Sequence, residues 1–159
     1  MKIMIGSDHH GVRTRLNLDS FVKSLGHEVI DIGPTSERPE PVDYPDVAAA
    51  VAEAVSNGTM DRGILICGTG IGMSIVANKF PGVRAAPVID GFSAEMSRRH
   101  NDLNVLCLSG DMLSEATIDR LVEIWLNTEF AGGRHERRKR KIAQIEQEQM
   151  EANRKRDIP

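Results

Sequence analysis

Residues 63–74, with the sequence GILICGTGIGMS, decide the fold of this chain. The run 63–67 is apolar and does not alternate with polar residues, a pattern typical of a strand buried on both faces of a sheet. Cys67 is followed by glycines at every second position and then by a segment predicted to be a helix. A strand, a glycine-rich loop and a helix in this order place the loop at the carboxyl end of the strand, where α/β folds bind ligands.

Four further apolar runs of the same kind lie before and after this segment. They span residues 2–6, 28–32, 83–89 and 104–108. The segments between the runs have helical periodicity, with apolar residues on one face of 43–56 and of 114–127. This alternation of strands and helices predicts a parallel sheet that is covered by helices on both faces.

Length and composition suit one domain, residues 1–159, of which about 134–159 form a charged helical tail. The net charge of −3 favours neither nucleic acid nor a membrane as partner. No apolar run approaches the roughly 18 residues of a membrane span, and the first residues lack the apolar core of a signal peptide. We therefore expect a cytoplasmic protein. Cys67 and Cys107 form no C-x-x-C motif, so neither a disulfide nor a zinc site is expected.

The glycine loop after Cys67 is suited to an anion. Alternating glycines let the backbone approach a ligand and aim several N–H groups at it, ahead of a helix N-terminus. Such a loop fits a phosphate or an enediolate oxygen, and the thiol of Cys67 is a candidate base. A tight turn with a buried cysteine is the alternative. A dinucleotide site is a further interpretation, but Met73 occupies the place of the third glycine in that motif.

Acidic and imidazole side chains follow the first predicted strand, at Asp8, His9 and His10. Asp can orient a hydroxyl and His can carry a proton near neutral pH. Alternatively, Asp8 caps the next helix and both histidines are merely exposed. His100 ends another predicted helix, where a histidine is favoured in any case. It gains catalytic meaning only if it meets Cys67 in space.

Arg134 and Arg138 are four residues apart and therefore share one face of the predicted tail helix. Two guanidinium groups on one face suit a phosphate. The full run RHERRKRK, residues 134–141, is also compatible with a solvated face or a nucleic-acid patch. The acidic residues that follow and the negative total charge argue against nucleic acid.

Taken together, these segments resemble the ribose-5-phosphate isomerase B family, which includes galactose-6-phosphate isomerase subunits. The resemblance spans about residues 2–147 and rests on SDHHG at 7–11, DYP at 43–45, CGTGIGMSIVANKFPGVRAA at 67–86, SRRHNDLNVL at 97–106 and GGRHERR at 132–138. It implies a Rossmann-like, three-layer α/β/α fold with a five-stranded parallel sheet and a C-terminal helical arm. It also implies a homodimer with shared active sites and no metal or cofactor, and leaves pairing into tetramers open.

The resemblance implies roles for residues at the motif positions. Cys67 would be the base that moves a proton between C2 and C1 of an open-chain aldose, and Thr69 would assist proton movement at the oxygens. His100 would open the sugar ring, and Asp8 would contact the same end of the substrate. The other implied contacts are Gly68, Gly70 and Gly72 for the enediolate, Tyr44 and Asn101 for sugar hydroxyls, and His9 with the partner subunit's Arg134 and Arg138 for the phosphate.

The implied reaction interconverts ribose 5-phosphate and ribulose 5-phosphate, a step of the pentose phosphate pathway. Three features depart from the family pattern: His10 replaces a small or apolar residue, residues 12–15 are atypical, and Asp111 stands where relatives usually have arginine. The first two leave the sugar open, so allose 6-phosphate, galactose 6-phosphate or a tetrose phosphate is the nearest alternative. A non-catalytic sugar-phosphate or nucleotide-binding module and a nucleic-acid-binding protein are alternatives of other classes.

Overall fold

The computed structural model describes residues 1–35 and 40–156, so part of the loop predicted between 36 and 44 lies outside the described residues. The strands are β1 (Lys2–Ser7), β2 (Glu28–Ile32), β3 (Arg62–Cys67), β4 (Ala85–Pro87) and β5 (Val105–Ser109). The helices are α1 (Val12–Ser24), α2 (Tyr44–Ser56), α3 (Ile71–Ala77), α4 (Gly91–Asn101), α5 (Glu115–Asn127) and α6 (Arg134–Arg156). Over these two ranges, no helix is both long and apolar enough to cross a membrane.

The five strands form one parallel sheet, as predicted, and the structure gives their order as β2-β1-β3-β5-β4. The chain first adds β2 on one side of β1 and then crosses back to add β3 on the other side. Such a reversal of direction opens a crevice between the carboxyl ends of the two strands at which it occurs. The loops that follow β1 and β3, starting at Asp8 and Gly68, therefore border this crevice.

Helices cover both faces of the sheet, and the side chains of the central strands alternate between two cores. In β3, Ile64 and Ile66 face the core made with α1, α4 and α5, whereas Leu65 and Cys67 face the core made with α2 and α3. The predicted three-layer α/β/α architecture is thus confirmed, and Cys67 lies on the α3 side of the sheet.

The outer strands differ from the sequence-based expectation. The apolar run 83–89 contributes only a three-residue strand, β4, and Pro87 fits there because an outer strand tolerates a missing N–H. β2 is half-exposed along its length because it forms the other edge of the sheet. Burial on both faces was therefore the wrong prediction for these two strands, while β3 and β5 in the centre are almost continuously buried.

Arg15 ties the first helix to the carboxyl ends of two strands. Its side chain is only 1% exposed, and it donates hydrogen bonds to the hydroxyl of Ser7 and to the carbonyl of Pro34. It also forms an ion pair with the carboxylate of Asp31. Because Ser7 ends β1 and Asp31 lies in β2, this one guanidinium fixes α1 against the side of the crevice formed by β1 and β2.

Replacing Arg15 by Met should lower the free energy of unfolding by about 2–4 kcal/mol, because the buried hydrogen-bond acceptors and the Asp31 carboxylate lose their partner. Urea denaturation followed by circular dichroism measures this difference. Arg13→Met is the matched control on the same helix, since Arg13 is 87% exposed. That variant should change the stability by less than about 0.5 kcal/mol. Equal effects of the two substitutions would contradict the anchoring role of Arg15.

Candidate active site

Backbone hydrogen bonds join the loops after β1 and β5 to the end of β3 at the carboxyl edge of the sheet. The N–H of Asp8 donates to the carbonyl of Ile66 at 3.2 Å, and the N–H of Gly110 donates to the carbonyl of Cys67 at 2.8 Å. These bonds extend the hydrogen bonding of the sheet into the first residues of the loops. The crevice therefore has a rigid floor, on which side chains can be held in fixed positions.

Cys67 is the last residue of β3 and is 5% exposed. The N–H of Gly70 donates to its Sγ at 3.2 Å, so a backbone donor of the glycine loop points at the sulfur. Gly70 has a φ of 76°, and a Cβ at this position would lie 3.2 Å from backbone atoms of Cys107 and Leu108. The turn that aims this N–H at the sulfur therefore requires glycine at position 70.

Thr69 and Tyr44 lie on the exposed side of the glycine loop. The hydroxyl of Thr69 accepts a hydrogen bond from the N–H of Ile71 at 3.3 Å, at the point where α3 begins. A Cβ built on Gly72 would lie 2.7 Å from the ring of Tyr44, so the absence of a side chain at position 72 makes room for this ring. Tyr44, the first residue of α2, is thereby packed against the loop that follows Cys67.

Asp8 is 5% exposed, and its carboxylate accepts a hydrogen bond from the N–H of His10 at 2.9 Å. This bond forms a local turn of the kind that Asp favours. The residue before α1 is Gly11, which makes no side-chain cap, so the interpretation of Asp8 as a helix cap is wrong. His9 is exposed, and its Nδ1 lies 3.3 Å from backbone atoms of Val42, on the segment that leads into α2.

The remaining predicted site residues lie towards the opposite, amino edge of the sheet. They are His100, Asn101, Arg134 and Arg138. α4 ends at Asn101 and β5 begins at Val105, whereas Cys67 pairs with Ser109 at the other end of β5. The four residue steps along β5 alone amount to roughly 13 Å. Within one chain, the structure therefore does not bring His100 to Cys67.

His135, to which the sequence assigned no role, packs flat against His100. The two rings are 4.2 Å apart and nearly parallel, and His135 is 7% exposed. Burial lowers the pKa of His135, and the neighbouring His100 and Arg134 lower it further. The Nε of Arg134 donates to Nε2 of His135 at 3.3 Å. A neutral imidazole in this position holds the plane of the His100 ring and connects it to the first turn of α6.

Asp102 fastens α6 to the end of α4 through ion pairs. Its carboxylate lies 3.1 Å from Arg84, 2.9 Å from Arg98 and 3.2 Å from Lys139. Burial alone would raise the pKa of Asp102, but the hydrogen bond from Lys139 and the charges of both arginines hold its pKa below the usual value. Because Lys139 belongs to α6, this cluster fixes the orientation of the helix that carries Arg134 and Arg138.

One more polar pair lies beside the glycine loop. His10 and Asp111 come from the loops after β1 and β5, and their side chains approach to 3.2 Å. Both residues were noticed in the sequence as departures from a family pattern. Their contact was not predicted, because the two positions are far apart in the chain and only the order of the strands brings the two loops together.

Comparison with known proteins gives consistent matches along nearly the whole chain. A family model described as Ribose/Galactose Isomerase matches residues 3–142. Ribose-5-phosphate isomerase B of Escherichia coli K12 is 44% identical over 146 residues, which are 92% of this chain and 97% of that protein. A D-erythrulose-4-phosphate isomerase of Pectobacterium atrosepticum is 38% identical over 135 residues, 84% of this chain and 87% of that protein.

A solved structure agrees with this fold over the same range. The crystal structure of ribose-5-phosphate isomerase B from Mycoplasma genitalium, with bound ribulose 5-phosphate, superimposes with a TM-score of 0.88 at 40% identity. The alignment covers 92% of this chain and 97% of that one. The agreement in sequence and in fold therefore extends through the glycine loop, the end of α4 and the start of α6. This chain belongs to the ribose/galactose isomerase family.

Proposed function

We propose that this chain is an aldose–ketose isomerase that interconverts ribose 5-phosphate and ribulose 5-phosphate, with Cys67 as the base. The observation that carries the proposal is the buried Cys67, whose Sγ receives the N–H of Gly70 at the switch point of the sheet. The names of the relatives support it, because the Escherichia coli protein is named for this activity and the Mycoplasma genitalium protein was solved with ribulose 5-phosphate.

The proposed reaction moves one proton between two carbons. The thiolate of Cys67 takes the proton from C2 of the open-chain aldose, and the electrons of that C–H bond form an enediolate. Backbone N–H groups of Gly68 and Gly72 are proposed to face the developing negative charge on oxygen, whereas the N–H of Gly70 stays on the sulfur and its missing side chain keeps the loop close to the substrate. The hydroxyl of Thr69 passes a proton between the two oxygens, and Cys67 returns its proton to C1 as the carbonyl forms at C2.

The sugar has to be opened and held before this step. In our proposal His100 accepts and donates protons at the ring oxygen and the anomeric hydroxyl, and the carboxylate of Asp8 contacts the same end of the substrate. Tyr44 and Asn101 bind sugar hydroxyls. The phosphate is held by His9, Arg134 and Arg138, and its binding energy serves to position the reacting carbons.

We infer that two copies of the chain build each site. The separation of His100 from Cys67 along β5 supports this, because a second copy can supply the ring-opening histidine and the arginines to the glycine loop of the first. The exposed isoleucines of α3 and α6 also support it, since Ile71, Ile75, Ile142 and Ile145 are each more than half exposed, at 55%, 57%, 51% and 58%. The proposed assembly is a homodimer, and tetramers remain open.

We further infer that residues 1–159 form one catalytic domain that acts without metal or cofactor in the pentose phosphate pathway of the cytoplasm. Two buried cysteines with free thiols, Cys67 and Cys107, fit the reducing conditions of that compartment.

The second candidate function is the same proton transfer on a tetrose phosphate. The relative named D-erythrulose-4-phosphate isomerase favours it.

The purified protein should convert ribose 5-phosphate to ribulose 5-phosphate in deuterated water, with deuterium entering the reacting carbons, as followed by proton NMR. Cys67→Ala should lower kcat by about 10⁴-fold, because the base of the proton transfer is lost. Cys107→Ala is the matched control from the neighbouring strand. Burial in the same core raises the pKa of the Cys107 thiol, and this variant should keep kcat within about threefold of the original value.

Several sugar phosphates distinguish the candidate functions in the same assay. A tetrose phosphate turned over with a kcat/KM more than about tenfold above that of ribose 5-phosphate would replace the pentose assignment. A Cys67→Ala variant that retains full turnover would rule out Cys67 as the base. Binding of sugar phosphates without any conversion or deuterium exchange would identify the chain as a binding module.

A shared site can be tested by mixing two inactive proteins. Cys67→Ala lacks the base and Arg138→Ala lacks a phosphate ligand, so each homodimer should be severely impaired. After subunit exchange at equal amounts, about half of the dimers are hybrids with one complete site each, which should restore roughly a quarter of the original activity. The steady-state rate of the mixture measures this recovery.

The control mixture replaces Arg138→Ala by a chain that carries both Cys67→Ala and Arg138→Ala, which leaves no complete site in any dimer. Subunit exchange itself is confirmed by mass spectrometry of intact dimers. If exchange is complete and the first mixture stays as inactive as the control, Cys67 and Arg138 serve the same site within one chain, and the shared-site arrangement is wrong.

A further inference from the structure

His10 and Asp111 form a pair that the proposed mechanism does not use. Nδ1 of His10 lies 3.2 Å from Oδ1 of Asp111, and the two side chains are 49% and 53% exposed. Hydrogen bonds fix the backbone of both residues, since the N–H of His10 donates to the carboxylate of Asp8 and the N–H of Asp111 donates to the carbonyl of Gly68. The two side chains are therefore fixed at their base and exposed to the crevice.

This place lies between the glycine loop and His9. A Cβ built on Gly68 would lie 2.8 Å from Oδ2 of Asp111 and 4.0 Å from the ring of His10. On its other side, the ring of His10 is 4.6 Å from the ring of His9. A substrate that extends from its reacting carbons at Cys67 to its phosphate at His9 therefore passes directly beside the pair.

A carboxylate at this point would repel a phosphate unless a cation stood between them. The imidazole of His10 can do this, because Asp111 accepts from Nδ1 and the second ring nitrogen, Nε2, lies on the opposite side of the ring. In the protonated state, His10 has two donors, one for the carboxylate and one for an anion. The pair as a whole is then neutral and still presents an N–H to the ligand.

We propose that His10 is a phosphate-contacting residue and that Asp111 is the residue that positions it. On substrate binding, His10 takes a proton from solvent, donates Nδ1–H to Asp111 and donates Nε2–H to a phosphate oxygen of the sugar phosphate. The inference rests on the proposed function, because it needs a phosphorylated sugar in this crevice.

The other charged groups around His10 do not replace it. Asp8 is buried and bonded to the backbone of His10, and His9 is already assigned to the phosphate. Arg13 lines the same open cleft as both histidines, but its guanidinium lies 2.8 Å from the carboxylate of Glu115 and is 87% exposed. Arg13 is therefore a nearby cation that the proposal leaves unused and a suitable control.

The test compares His10→Gln, which cannot carry a charge, with His10→Arg, which always does. In His10→Gln, the KM for ribulose 5-phosphate and the inhibition constant of inorganic phosphate should both rise roughly tenfold, with kcat within about twofold. His10→Arg should keep both constants within about threefold of the original values. The double variant His10→Gln with Asp111→Asn should regain most of the loss, because it also removes the carboxylate that His10 neutralised.

Arg13→Gln should leave all three constants unchanged and so exclude a general effect of surface charge. Unchanged constants in His10→Gln would overturn the proposal. Equal impairment of His10→Gln and His10→Arg would also overturn it, because packing and not charge would then be the role of the ring. Line broadening of inorganic phosphate in ³¹P NMR reports binding without turnover. Failure of the isomerase assay is thereby distinguished from failure of this inference.

Discussion

The site depends above all on the hydrogen-bonded parallel register of β3 with β1 and β5. This register pairs Cys67 with Ser109 and Ser7 with Ile66, so the three strands end at the same level. The loops that follow them consequently meet, and further backbone hydrogen bonds lock them together. Close packing leaves little room there, which is why glycine is required where the loop passes the backbone of β5 at Gly70. The thiol and the N–H that faces it are thus positioned by the sheet itself.

The same register explains why one chain carries two incomplete halves of the proposed site. His100 precedes β5 and Cys67 ends β3, so within one chain the length of the strands separates these two residues. His100 is on one side of this separation and Cys67 on the other. The ion pairs of Asp102 and the stack of His135 on His100 then fasten α6 to the half that holds His100. In the proposed homodimer, a second copy related by twofold symmetry would complete both halves at once, so the proposed dimerisation and the proposed catalysis would depend on the same geometric constraint.

The features that could be predicted from the sequence are those that depend on residues close together in the chain. The continuous apolar runs of β3 and β5 predicted central strands correctly, because burial on both faces leaves a local signal. The edge strands β2 and β4 look similar in sequence, but their exposure depends on strand order, which no local pattern contains. For the same reason, the contact of His10 with Asp111 and that of His135 with His100 could not be predicted. The loop of Cys67 could be identified from the sequence because its glycines and its thiol are adjacent in the chain. The role of Cys67 as the catalytic base is a proposal, which the Cys67→Ala variant tests.

One end of the proposed site consists of backbone groups and the other of exposed side chains. This difference affects how the substrate specificity of such a site can change. The end that would transfer the proton consists of backbone groups around Cys67, which are fixed by the sheet and tolerate little change. The end that would hold the phosphate consists of exposed side chains such as His9, His10 and Asp111, which can be exchanged without disturbing the fold. A family in which one relative is named for ribose 5-phosphate and another for D-erythrulose 4-phosphate is consistent with this division. Since phosphate binding sets where the reacting carbons lie, a change of charge at that end can select a sugar while the base stays in place.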